Sequence, residues 1–155
     1  MMGTRCGSID PGILLYLLRE RHFSDGELDR SLNFDSGLKG VGGSSDMREL
    51  LAMSDEGALL AIEMFVHRLT TSIGALFVSL NGCDVLSFTG GIGEHAVRIR
   101  EEACRRLACL GMAIDEQKNR DCHPDADITG ASSRVRVVVV RTREEWMIAR
   151  ACLVT

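Results

Sequence analysis

The sequence predicts an α/β fold with a largely parallel sheet in its second half. Three observations carry this. A short apolar, β-favouring run, "DVLSFTG" (84–90), leads through a glycine loop into an amphipathic stretch. A second run, "RVRVVVVRT" (134–142), has the continuous valine core of a strand covered on both faces. "REEWMIARACL" (143–153) reads as a closing helix, which completes a strand–helix–strand–helix order.

Composition narrows the classes. The length of 155 residues fits one domain or a piece of a larger protein, and a 45% hydrophobic share supports a core. A net charge of −4 leaves no basic excess to neutralise phosphates, which argues against a nucleic-acid binder. No apolar run is expected to reach the roughly 20 residues that cross a bilayer, and "MMGTRCGSID" has no signal-peptide apolar region. None of the six cysteines forms a C-x-x-C pair, and most sit in apolar stretches, where a free cysteine behaves as a small hydrophobe. A reducing cytoplasm, without a disulfide framework or zinc site, is the expectation.

The elements follow in chain order. "DPGILLYLLRER" starts a helix with Asp10 as N-cap and Pro11 at the first position. "SDGELDRSLN" carries a capping box, Ser24 with Glu27. "DSGLKGVGGSSD" (35–46), rich in glycine and serine, reads as a loop. A short helix follows, capped by Ser45 or Asp46. Apolar residues at 59, 62, 66, 69, 73, 76 and 80 form a helical stripe, read as core before interface, with Asn81 and Gly82 ending the helix. After the glycine loop, apolar positions 96, 99, 103, 107 and 110 form another stripe, with Glu101–Arg105 and Glu102–Arg106 as exposed pairs; Gly111 stops that helix.

Four places have chemical potential. Gly90, Gly91 and Gly93 lie between strand and helix, where a backbone without Cβ can approach a ligand and a helix N-terminus suits an anion. The pattern G-G-x-G-E is neither a P-loop nor a full G-x-G-x-x-G, so a tight turn fits it as well as a nucleotide site. Asp46 and Arg48 suit a ribose and phosphates, or a capped helix with a surface arginine. Glu144, just past a strand end, suits Mg²⁺ or a helix dipole. Arg5 suits the charge of a transferring phosphoryl group, or is a surface cation.

Together, "MGTRCGSIDPG", "SSDMREL", "FTGGIGEHAVRIRE", "LGMAIDEQKN" and "RTREEWMIAR" resemble the C-terminal part of acetate kinase, in that order and through essentially the whole chain. The resemblance implies an incomplete ribonuclease-H-like domain of the acetate and sugar kinase, Hsp70 and actin superfamily. It implies reversible in-line phosphoryl transfer between ATP and acetate, with Mg²⁺, and homodimers in the full-length family. By motif position, Arg5 resembles the transition-state arginine, and Asp46 and Arg48 the nucleotide-contacting D-x-R. Gly91, Ile92, Gly93, Glu94 and His95 resemble the G-I-G-E-N nucleotide loop, and Glu144 the magnesium-associated glutamate.

Departures are His95 for asparagine, Arg143 for asparagine or aspartate, Ser8 for a common aspartate, and a glycine loop before Asp46 one residue short. Arg143 would repel Mg²⁺ if it pointed inward. The resemblance also implies that residues 1–155 are a C-terminal nucleotide-binding portion. The N-terminal phosphate segment, the substrate-binding arginine, the catalytic aspartate, the transition-state histidine and H-x-G-N-G have no counterpart in them. A chain of this kind is expected to be inactive and to self-associate when alone. The alternatives are a non-catalytic nucleotide-binding remnant or interaction module, and a propionate or butyrate kinase.

Overall fold

The computed structural model describes residues 1–153 and divides into two compact units, Met1–Thr71 and Ser72–Thr155. In unit 1, α1 (Pro11–Arg19) is capped by Asp10, whose carboxylate accepts from the Gly12 N–H at 2.7 Å. The reciprocal capping box of Ser24 and Glu27 opens α2 (Asp25–Asn33). Both starts follow the local sequence, since a cap needs only a side-chain oxygen two or three residues from an orphan N–H.

The glycine-rich stretch does not form the expected loop. It contains a helix, α3 (Gly37–Gly42). The N-terminal segment supplies carbonyls to the start of this helix: Leu38 N–H donates to Met2 O (2.8 Å) and Lys39 N–H to Gly3 O (2.9 Å). Gly37 has φ +64°, and an added Cβ would lie 2.2 Å from Met2 O and 2.9 Å from Arg5 O. Gly42 is equally confined, because a Cβ there would meet Leu50 at 2.7 Å and Ala61 at 2.8 Å. These glycines serve close packing, and no local pattern distinguishes that use from a loop.

Asp46 caps α4 (Met47–Ala52), and α5 follows (Glu56–Ser79). The buried residues of α5 are Ala58, Ala61, Ile62, Val66 and Thr70. Of the expected stripe, Ile62 and Val66 are buried, Leu69 and Ile73 are half-buried, and Leu59, Leu76 and Leu80 are exposed. The core face is therefore rotated from the one expected. By length and composition α5 would also suffice to cross a membrane, contrary to the expectation that no apolar run approaches that length. Interruptions at Glu63 and Arg68 hide this in a search for unbroken apolar runs. The helix ends at Asn81 (φ +57°) and Gly82, whose N–H donates to Phe77 O at 2.9 Å.

Unit 2 holds a three-stranded sheet built from β1 (Val85–Phe88), β2 (Ala126–Asp127) and β3 (Arg136–Val139). The order is β1-β3-β2, with β1 parallel and β2 antiparallel to β3. The α/β reading holds, but the sheet is mixed: one parallel pair with a two-residue antiparallel edge. It is also more open than the valine run suggests. Val137, Val139 and Phe88 are buried, while Val85 and Ser87 on β1 are exposed.

Between the strands lie α6 (Gly90–His95), α7 (Val97–Arg106) and α8 (Glu116–Arg120); α9 (Glu144–Leu153) closes the unit. Ala96, Ile99, Ala103 and Leu107 bury the expected stripe of α7. Glu102 pairs with Arg98 at 2.7 Å, and the expected Glu101–Arg105 pair is not formed among the described residues. Leu107, Met112 and Val135 form a core cluster with Ile73, Phe77, Cys83, Leu86 and Leu110 packed on it. Each such side chain, fully buried, contributes about 1.5–3 kcal/mol.

Candidate functional site

The candidate residues fall into two groups, one in each unit. In unit 1, Arg5 is exposed on the N-terminal segment that lies over Gly37. Gly3 of the same segment lies against Ser45, 3.4 Å from its ideal Cβ position, so this segment touches the start of α4. Asp46 does two tasks there. Its Oδ1 accepts from the Arg48 N–H at 2.8 Å, and both carboxylate oxygens accept from the Arg48 guanidinium. Those hydrogen bonds hold the Asp46 carboxyl down at about 2, and Arg48 is raised in turn. The side chain of Arg48 is 87% exposed, and Asp46 is half-buried. A phosphate or ribose would compete with an existing partner for either group.

In unit 2 the parallel register pairs Phe88 with Val139, so the chain leaves both strands at the same edge. The glycine stretch follows β1 directly. It is not a loop preceding a long helix, as the sequence suggests, but the short helix α6, broken at Ala96 (φ −91°, ψ 84°) before α7 begins. Three glycines have three different environments. Gly90 has φ +72°, which a side chain would strain. Gly93 is packed on β1, since a Cβ would approach Phe88 C to 3.2 Å. Gly91 has neither constraint: its φ is ordinary and nothing lies within 4 Å of its ideal Cβ.

Glu94 links the two strand exits. Its Oε1 accepts from Gly90 N–H (3.1 Å), Thr142 N–H (2.7 Å) and Thr142 Oγ1 (2.8 Å). Thr142 Oγ1 also accepts from Gly90 N–H at 2.8 Å and lies 3.0 Å from Thr89 Oγ1. The Thr142 hydrogen bonds, backbone first, lower the Glu94 pKa. Glu94 therefore points inward as a tether, and Ile92 is half-buried while His95 ends α6 exposed. The tether joins the glycine segment to residues 142–144, at whose end Glu144 begins α9, exposed. Glu144 lines an open cavity of ≈ 480 Å³ with Thr142, Arg143, Glu145 and Trp146.

Arg143 lines the same cavity as Glu144, with its guanidinium engaged. Its guanidinium donates to Asp125, whose other oxygen accepts from the Arg141 N–H at 2.8 Å. The charge of Arg143 is thus partly offset by a carboxylate 18 residues away. The donor set fits a nucleotide-borne Mg²⁺, which takes one or two protein carboxylates and completes its shell with water and phosphate. Among the described residues no three His, Cys, Asp or Glu side chains gather to hold a metal by themselves.

Sequence reasoning missed three contributors to this geometry: Thr142, Arg100 and Asn119. Arg100 had a readable signal, because it is a charged residue beside Ile99 on the buried stripe of α7. Thr142 and Asn119 lie in the quoted segments "RTREEWMIAR" and "LGMAIDEQKN", but no local pattern assigns them a task, since their partners are distant in sequence.

Segments gathered at the carboxyl ends of a parallel strand pair are where α/β folds hold ligands, and unit 2 has that form. The comparison with protein families makes the class specific. The acetokinase family model matches residues 1–150, and the chain belongs to that family. It is 54% identical over 153 residues to an acetate kinase of Protochlamydia amoebophila, covering 99% of this chain and 39% of the relative. Among solved structures it is similar to Porphyromonas gingivalis acetate kinase (TM-score 0.90, 36% identity, 99% of this chain and 40% of that one). It is also similar to a propionate kinase from Francisella tularensis (TM-score 0.88, 42% identity, 96% and 39%). The chain thus spans about 39% of the length of the curated relatives it matches, and its mixed α/β architecture is an incomplete domain of the acetate and sugar kinase fold.

Proposed function

We propose that residues 1–155 are the C-terminal, nucleotide-binding portion of an acetate kinase, which converts ATP and acetate reversibly to ADP and acetyl phosphate. An acetate carboxylate oxygen bonds to the γ-phosphorus while the bond to the β–γ bridging oxygen breaks, and ADP leaves with that electron pair. Such transfer depends on positioning and charge stabilisation.

The observation that carries the reading is the joined pair of strand exits in unit 2. Glu94 fixes the glycine segment beside residues 142–144, and Gly91 is a glycine that nothing within this chain requires. The open space at Gly91 leaves room for a ligand to approach the backbone closely. In this reading residues 91–95 lie along the nucleotide, with His95 at the exposed end. Asp46 and Arg48 exchange their mutual pair for ribose and phosphate contacts, and Arg5 spreads charge over the transferring phosphoryl group. Glu144 would hold Mg²⁺, which neutralises phosphate charge when bound.

The acid-binding groups and the homodimer belong to the full-length protein, and exposed Leu76, Val78 and Leu80 support association. A reducing cytoplasm suits six free thiols, with burial pushing that of Cys104 up to about 12. The similarity to a propionate kinase supports a second reading with a longer acid, which a substrate series on a chimera completed with the missing part decides.

Calorimetric titration of the chain with ADP, with and without Mg²⁺, tests the proposal. Binding strengthened by Mg²⁺ and weakened about tenfold by Asp46→Ala is expected. A folded chain that binds no ADP, even when the missing part is supplied, would identify a decayed remnant instead.

A further inference from the structure

We propose that Arg100, held by Asn119, is a positioning residue for the glycine segment Gly90–His95. The inference rests on the nucleotide reading of that segment and deepens it. Both side chains are 1% exposed. Arg100 Nε donates to Asn119 Oδ1 at 2.7 Å and Nη2 to Asn119 O at 3.0 Å. Asn119 Nδ2 donates to Val97 O at 3.2 Å, so the amide is itself oriented. The remaining nitrogen, Nη1, donates to both Gly93 O and Glu94 O, each at 2.9 Å.

Those last two acceptors define the role. They are carbonyls at the end of α6, where the break at Ala96 removes the next helical turn and its N–H groups. The guanidinium takes the place of that turn. It thereby fixes the peptides after Gly93, and with them the backbone from which the Glu94 carboxylate reaches Gly90 and Thr142. One buried fork supports the glycine segment from beneath, and through Glu94 it aligns the start of α9.

Chemistry separates this from ordinary packing. The hydrogen bonds of Arg100 among the described residues all go to neutral oxygens, and burial lowers its pKa, against a smaller opposing influence of Cys122 and Cys104. A buried cation without a carboxylate partner is an expensive filler for a position on an apolar stripe. A planar fork can span two chain segments at fixed geometry, which an ammonium cannot.

The test uses Arg100→Lys, which keeps charge and stem but loses the fork, and Asn119→Ala, which leaves the carbonyl contacts to be made by an unguided guanidinium. Amide hydrogen exchange is measured without ligand, and Mg-ADP affinity by calorimetry. In Arg100→Lys, exchange at residues 90–95 and 142 should accelerate about tenfold or more while residues 137–139 in β3 stay protected. Mg-ADP affinity should fall about tenfold, and Asn119→Ala should show the same pattern more weakly. Uniform acceleration through unit 2, or unchanged exchange at 90–95 in both variants, overturns the positioning role. A wild-type chain that is protected at 90–95 and binds no Mg-ADP, even when the missing part is supplied, defeats the nucleotide reading instead, and with it the functional use of Arg100.

Discussion

The candidate residues of the two units are held in opposite ways. In unit 1 two chemistry-bearing side chains satisfy one another at the surface: exposed Arg48 pairs with half-buried Asp46. In unit 2 the chemistry rests on backbone, and side chains are spent on holding it. Glu94 and Thr142 fix one end of the glycine segment, and Arg100 the other. A surface ion pair is easily exchanged for a ligand, because its net stabilisation in water is small. A backbone cradle must be correct before the ligand arrives, so its support is internal and multiply bonded.

The largest expected effect tests whether unit 1 is really the softer half. Its exposed pair hides one rigid support, the crossing of the N-terminal segment over Gly37. Gly37→Ala adds a Cβ 2.2 Å from Met2 O at a residue with φ +64°. A destabilisation of about 3 kcal/mol or more is expected in chemical denaturation, with release of the segment carrying Arg5. A loss below about 1 kcal/mol would mean that this segment moves aside freely, and that Arg5 is not held in place by the fold.

Glu94 provides the sharper contrast with Asp46. Glu94→Ala removes an acceptor of three hydrogen bonds, and the strand exits should separate. Mg-ADP affinity should fall about a hundredfold, against about tenfold for Asp46→Ala. Glu94→Gln retains an acceptor oxygen without the charge and should fall between them. Equal losses at 46 and 94 would erase the distinction between a contacting and a cradling carboxylate.

This contrast also explains what the sequence made legible. The caps at Asp10, Ser24 and Asp46 were readable because donor and acceptor lie within three residues. The α7 stripe was readable because helical periodicity is local. The helix α3 was not, because its first N–H groups are satisfied by Met2 and Gly3 and its last glycine by packing on Leu50 and Ala61. The glycine segment stands out in the sequence as a candidate nucleotide loop that includes Glu94, but the internal bonds of Glu94 do not. Its structural partner, Thr142, is 48 residues away. The mixed sheet escaped for a similar reason: β2 is two residues long and exists only through its pairing with Val138 and Val139.

The smallest expected effect concerns Arg143, the departure most threatening to a metal-associated glutamate. Its guanidinium is held by Asp125, and that carboxylate is lowered in pKa chiefly by the bond. Both partners are substantially exposed, with side chains 53% and 46% accessible. An exposed pair of this kind contributes little stability. Arg143→Asn should therefore leave the melting temperature nearly unchanged and alter Mg-ADP affinity by less than about twofold. Asp125→Ala is the informative companion, because it frees the guanidinium one residue from Glu144. If Arg143 is neutral only by virtue of its partner, Asp125→Ala should weaken the Mg²⁺ dependence of ADP binding, and Arg143→Asn added to it should restore that dependence. Failure of the second substitution to restore it would place the influence of Asp125 in its bond to the Arg141 N–H, and so in the path of the chain toward Glu144 rather than in charge.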